Sequence, residues 1–188
     1  MKTILDLKNH FISDTESLLK ELKAFQSLSE NQLNWKSSTE IWSIAECVDH
    51  LYVTNKLYFD EFEKQFSHKQ LKTDCSQTLL KHKFISKFII KSVDPNNLKK
   101  VKTFPVFQPS SSKYNKEILV RYSNLQNEFI NLLSAVKDLD LNKYIMSSPA
   151  NKFIKENFCD VLEIIRLHDK RHFNQAKKVL NHSNFPKD

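Results

Sequence analysis

Residues 155–182 read KENFCDVLEIIRLHDKRHFNQAKKVLNH. Val161, Ile165, His168, His172, Ala176 and Val179 recur at three- and four-residue spacing, so the segment is predicted to be one long last helix with a single buried stripe. The two histidines stand in line with the apolar residues. Four apart on a helix, their imidazoles lie one turn from each other on the same face. A buried imidazole with unpartnered nitrogens costs on the order of 1–3 kcal/mol. Two on one stripe call for a common explanation. A shared metal ion supplies one, because neutral imidazole is a strong nitrogen ligand for zinc or nickel.

The same periodicity runs outward from this segment. A first helix is predicted over 3–26, with Ile4, Leu7, Phe11, Leu18, Leu22 and Phe25 on one face. The stretch from Ser29 to Glu40 reads as polar and turn-prone. Ser43 followed by Glu46 is a capping box. It opens a second helix that carries Ile44, Val48, Leu51, Tyr58 and Phe62 along one side and fades near Phe66 to His68. A third is predicted from Ser76 to Val93, stopped by Asp94-Pro95-Asn96-Asn97. Residues 98–112 read as an extended loop with apolar anchors. Ser110 to Ser112 are placed to cap a helix over 113–137 that turns Ile118, Tyr122, Leu125, Phe129 and Leu132 inward. The stretch from Leu139 to Phe153, with Pro149, reads as irregular. The expected fold is all-α: a four-helix bundle with an extra short helix, forming one domain over residues 1–188.

Composition narrows the function classes. The 188 residues contain no glycine, which excludes a phosphate-cradling P-loop and a glycine-rich dinucleotide fingerprint. A glycine-framed nucleophile elbow is excluded with them. The formal charge is +7, but the lysines are scattered from Lys2 to Lys187 and make no nucleic-acid footprint, so no nucleic-acid partner is expected. Cys47, Cys75 and Cys159 form neither a disulfide framework nor a CxxC metal pair. The first residues, MKTILDLKNHFISD, lack a continuous apolar signal core, and no stretch of about 18 apolar residues exists. The expected setting is the cytoplasm, with no membrane partner.

A third ligand for the last-helix pair should come from a facing helix, and His50 is best placed. It lies in the row Cys47, His50, Thr54 and Leu57 that borders the apolar stripe of the second helix. His10, His68, His82 and His182 lie near helix ends or polar stretches and read as surface residues. Spacing alone leaves open that His50, His168 and His172 are ordinary hydrogen-bonded histidines at helix contacts. Asp49 and Asp169 point about 100° away from the neighbouring histidines and are poor ligands. Glu46 is accounted for by capping. Cys47 reads as a small core residue, Arg171 as a surface ion pair or a contact for an anionic substrate, and Trp42 and Trp35 as packing residues near the pocket. Glu163 precedes His168 by five, not three, so the Glu-x-x-His pair of di-iron bundles is absent and a single metal is favoured.

Two segments carry a family resemblance. Glu40 to Leu51, EIWSIAECVDHL, resembles the W-S-x-x-E-x-x-x-H-L segment of the DinB/YfiT-like superfamily of metal-dependent hydrolases. Leu167 to Gln175, LHDKRHFNQ, is similar to that superfamily's H-x-x-R-H-x-x-Q segment, and Phe104-Pro105-Val106-Phe107-Gln108-Pro109 resembles its loop before the third bundle helix. The resemblance implies an up-down-down-up bundle with one long crossover, often a homodimer. It also implies a divalent metal held by His50, His168 and His172: zinc or nickel first, iron or manganese as alternatives. Three histidines leave an open coordination position, the catalytic pattern, where a water or a substrate thiol is activated. For the chemistry, the resemblance implies thiol-dependent transfer or hydrolysis of a small molecule; the alternative reading is a stress-related bundle that binds metal and catalyses nothing. The chain departs from the family before the last helix, where relatives usually carry a glycine turn and a Thr or Ser cap. Here Asn151-Lys152-Phe153 and a lysine-rich stretch stand instead.

Overall fold

Four helices open with the same device. The side chains of Thr3, Ser29, Ser43 and Asn157 accept the backbone N–H three residues on, and Asp6, Gln32, Glu46 and Asp160 reach back to the capping residue's own N–H. Each box satisfies two donors that a helix end leaves bare. The computed structural model describes residues 2–66, 77–97, 99, 102–136 and 139–187. In chain order the elements are α1 (Ile4–Gln26), α2 (Glu30–Asn34), α3 (Ile44–Phe66), α4 (Phe84–Val93), α5 (Glu117–Ala135), β1 (Ile145–Ser148), β2 (Asn151–Asn157) and α6 (Phe158–Leu180). Short 3₁₀ turns occupy Pro105–Phe107 and Leu141–Lys143.

The four long helices form the bundle. α1 packs on α5 and α6, and α3 packs on the same two. Directions follow from the contacts. Asp14 meets Arg166 and Glu21 meets Lys177, so α1 and α6 are parallel. Tyr52 meets Arg121 and Phe59 meets Phe129, so α3 and α5 are parallel. Phe62 stacks on Phe158 while His50 meets His172, so α3 runs against α6. The topology is therefore up-down-down-up, with the crossover between α3 and α5 carrying α4 onto α6. The apolar interior divides into two clusters. One surrounds Phe62, Phe129 and Phe158, and the other surrounds Phe25, Tyr122 and Phe173.

Several sequence expectations need correction. The third helix begins at Phe84, not Ser76, which lies outside the described residues together with His68 and Cys75. Before it, Leu79 bridges Thr3, Leu80 N–H donates to the Lys2 carbonyl and Ile4 N–H donates to the Thr78 carbonyl, so the amino-terminal segment holds this stretch extended. Ser110 to Ser112 do not cap α5; the Asn115 side chain accepts from Glu117 N–H instead. The turn-prone stretch after α1 contains α2. The stretch expected to be irregular forms an antiparallel hairpin, pairing Ile145 with Asn157, Met146 with Glu156 and Ser147 with Lys155. Residues 155–157 end β2, so α6 starts three residues later than periodicity predicts, behind the Asn157 cap. No described residue has a positive φ, so the glycine-free turns use ordinary backbone conformations. No helix among the described residues is long and apolar enough to cross a membrane.

Candidate metal centre

His50 reaches the α3–α6 seam from α3, and His168 and His172 reach it from α6. Ligand-capable atoms of all three lie within 4.8 Å of one another. His50 Nε2 stands 3.1 Å from His168 Nε2, and the ring centroids are 4.9 Å (His50–His168), 4.5 Å (His50–His172) and 4.5 Å (His168–His172) apart. The capping box at Ser43 sets where α3 begins and hence which way His50 points. The box at Asn157 does the same for the α6 pair.

Each ring sits in its own environment. His50 Nδ1–H donates to the carbonyl of Phe107 in the crossover, leaving Nε2 with its lone pair toward the other two rings. The Nδ1 atoms of His168 and His172 are buried and have no hydrogen-bond partner. Burial pushes the His50 pKa down to about 4, with the Phe107 carbonyl and Asp49 opposing it. Burial, the neighbouring imidazoles and Arg171 hold His168 and His172 well below the ordinary histidine value. Three neutral imidazoles, two of them with an unpartnered buried nitrogen, are a donor set that fits a divalent cation. Trp42 covers the cluster, 4.8 Å from the His50 ring centroid and stacked at 5.7 Å on His172. Trp35 instead packs on His182 and Phe185.

The residues beside the histidines hold the frame. Asp49 accepts Ser110 N–H at 2.6 Å and the Tyr114 hydroxyl at 2.9 Å, so consecutive residues of α3 pin two points of the crossover over the site. Asp169 turns into the bundle and accepts from Asn55, Tyr122 and Gln126 at 2.9–3.0 Å. Burial lifts its carboxyl to about 7 despite these donors. Arg171 donates to the carbonyls of Ser92, Asp94, Asn97 and Lys99, fastening the end of α4 to α6. Glu46 accepts Lys36 at 2.9 Å as well as closing its capping box. Cys47 is a buried free thiol that burial pushes up. His82, expected at the surface, is part-buried and meets Asp160 at 2.9 Å.

The histidines open onto a cavity of about 770 Å³ between α3, α4, α6, the crossover and the hairpin. Its walls include Trp42, Ile89, Val93, Phe104, Phe107 and Ile164. Three polar residues that sequence reasoning did not single out as functional belong to its α3 and hairpin walls: Thr54, Tyr58 and Ser148. Behind them, the Tyr58 hydroxyl donates to Glu156 at 3.2 Å. Burial and nearby Asp160 raise the Glu156 carboxyl to about 7, with the Tyr58 and Ser148 hydroxyls opposing. Thr54 shares the row of His50, which is the one sequence signal that pointed to it. The 98-residue separation of Tyr58 and Glu156 offers no local signal.

A sequence model of the DinB superfamily matches residues 15–176, a span that contains all three histidines. The chain belongs to the DinB superfamily. Neither curated proteins nor solved structures yield a match.

Proposed function

We propose that the chain is a metal-dependent enzyme acting on a small molecule, as a thiol-dependent S-transferase or a hydrolase. His50, His168 and His172 would hold the divalent ion, zinc or nickel ahead of iron or manganese. The observation that carries this reading is the convergence of three neutral imidazoles on the wall of a 770 Å³ cavity. Pockets of roughly 300–1,000 Å³ suit small ligands and cofactors. When bound, the metal supplies Lewis acidity, lowering the pKa of a water or thiol near it.

The chain's own residues supply the rest. The Phe107 carbonyl fixes the tautomer and tilt of His50. Trp42, Phe104 and Phe107 present apolar surface around the ligands, excluding water and strengthening electrostatic contacts inside. Arg171, on the cavity wall, spends its donors on α4 and so shapes the opening. A low-molecular-weight thiol is the proposed cosubstrate, and a homodimer the proposed assembly. A bundle that binds metal without catalysis is the alternative. It is disfavoured because among the described residues the histidine cluster has no fourth protein ligand, and a cavity adjoins it.

Elemental analysis of protein purified without a metal-binding tag tests the site. About one ion per chain is expected, falling to background in His168→Ala and His50→Ala. Consumption of a small thiol by an electrophile such as monochlorobimane should disappear in the same variants. Wild-type protein free of metal and without affinity for it would overturn the proposal. Bound metal with no turnover of thiol or ester probes would leave the non-catalytic alternative.

A further inference from the structure

We propose that the cavity carries a second recognition pole, formed by Thr54, Tyr58 and Ser148 and backed by Glu156, which takes the amine or hydroxyl end of a small-molecule ligand. This rests on the cavity being a substrate site. His50, Thr54 and Tyr58 are four apart on α3 and all line the cavity. Two turns of helix separate the first from the last, about 11–12 Å along the axis. Ile164 on α6 and Ala150 and Ile154 from the hairpin add apolar wall at the Tyr58 end.

The pole has unfilled hydrogen-bonding capacity. Thr54 is 4% exposed, and its Oγ1 is buried without a partner. Glu156 is 0% exposed; one carboxylate oxygen takes the Tyr58 hydroxyl, and the other, Oε1, has none. Ser148 lies beside both Tyr58 and Glu156. A tyrosine that donates its proton backward to a carboxylate presents its oxygen lone pairs forward. The pole therefore accepts hydrogen bonds, and the carboxylate behind it favours a cation among donors. The ligand this describes has a metal-seeking group at one end, an apolar middle, and an ammonium or hydroxyl group at the other.

Cobalt-loaded full-length protein, titrated with 6-aminohexane-1-thiol, 6-mercaptohexan-1-ol and hexane-1-thiol, tests it through the thiolate-to-cobalt absorption band. The amine- and hydroxyl-ended thiols are expected to bind roughly tenfold tighter than the methyl-ended one. Thr54→Val should reduce both preferences to about twofold or less, and Glu156→Gln the amine preference alone, with metal content unchanged. Equal affinities for the three thiols in wild-type protein, or preferences that survive both variants, would overturn the pole while leaving the metal site standing. Failure of every thiol to perturb the cobalt spectrum would overturn the proposed function, and the pole with it.

Discussion

Two regions of the interior each bury a carboxyl group, and they treat it differently. Around Asp169 of α6, α3 supplies Asn55 and α5 supplies Tyr122 and Gln126, and both carboxylate oxygens are occupied. Around Glu156, α3 supplies only Tyr58, and Oε1 is left without a partner. Burial lifts both groups to about 7. Titration alone therefore does not separate them; completeness of hydrogen bonding does. A saturated acid ties three helices together. An unsaturated one behind a cavity wall leaves an unmet cost in the fold.

The largest expected effect comes from removing the saturated acid. Asp169→Ala strands three donors in the core and should cost about 3–5 kcal/mol in urea unfolding, against about 1–2 kcal/mol for Glu156→Ala. Equal losses would break the comparison. The next effect is in pH. Glu156 rises from the ordinary 4.5 to about 7 in the folded chain, so the native state holds more protons than the unfolded one between these values. Stability from this group is thus fullest below about 4.5 and is lost as pH rises toward 7, by on the order of 2 kcal/mol. Glu156→Gln should remove that part of the slope in unfolding experiments across pH 4.5–8; an unchanged slope would assign it elsewhere, with Asp169 the first candidate. The smallest contrast is between hydroxyls. Tyr122→Phe should cost about 1–2 kcal/mol by thermal unfolding and Tyr58→Phe less than about 1 kcal/mol, because only the former leaves a network that was complete.

The long helices and the histidine triad were legible because both are periodic. Residues three and four apart share a face whatever the rest of the chain does, and the Ser43–Glu46 box marked its helix start to the residue. The hairpin was not legible. Its turn is built at Pro149-Ala150 without glycine, its strands are short, and lysine and asparagine interrupt the alternation of Asn151–Asn157. Asn157 and Asp160 have cap spacing, but helix-like spacing upstream masked it. The supports of the site came from afar. Phe107 offers a carbonyl, which every residue has, and Glu156 meets Tyr58 only through tertiary packing. The turn before α4 was misread because its partner is the amino-terminal segment, 74 or more residues away.

The glycine-free backbone has a practical consequence for dissecting this bundle. With no left-handed residue among those described, alanine fits every described non-proline position without torsional strain. Losses in a systematic truncation series here would therefore report side chains alone, from the capping threonine to the last histidine. That would make the chain an unusually clean scaffold for apportioning stability between its core and its cavity wall.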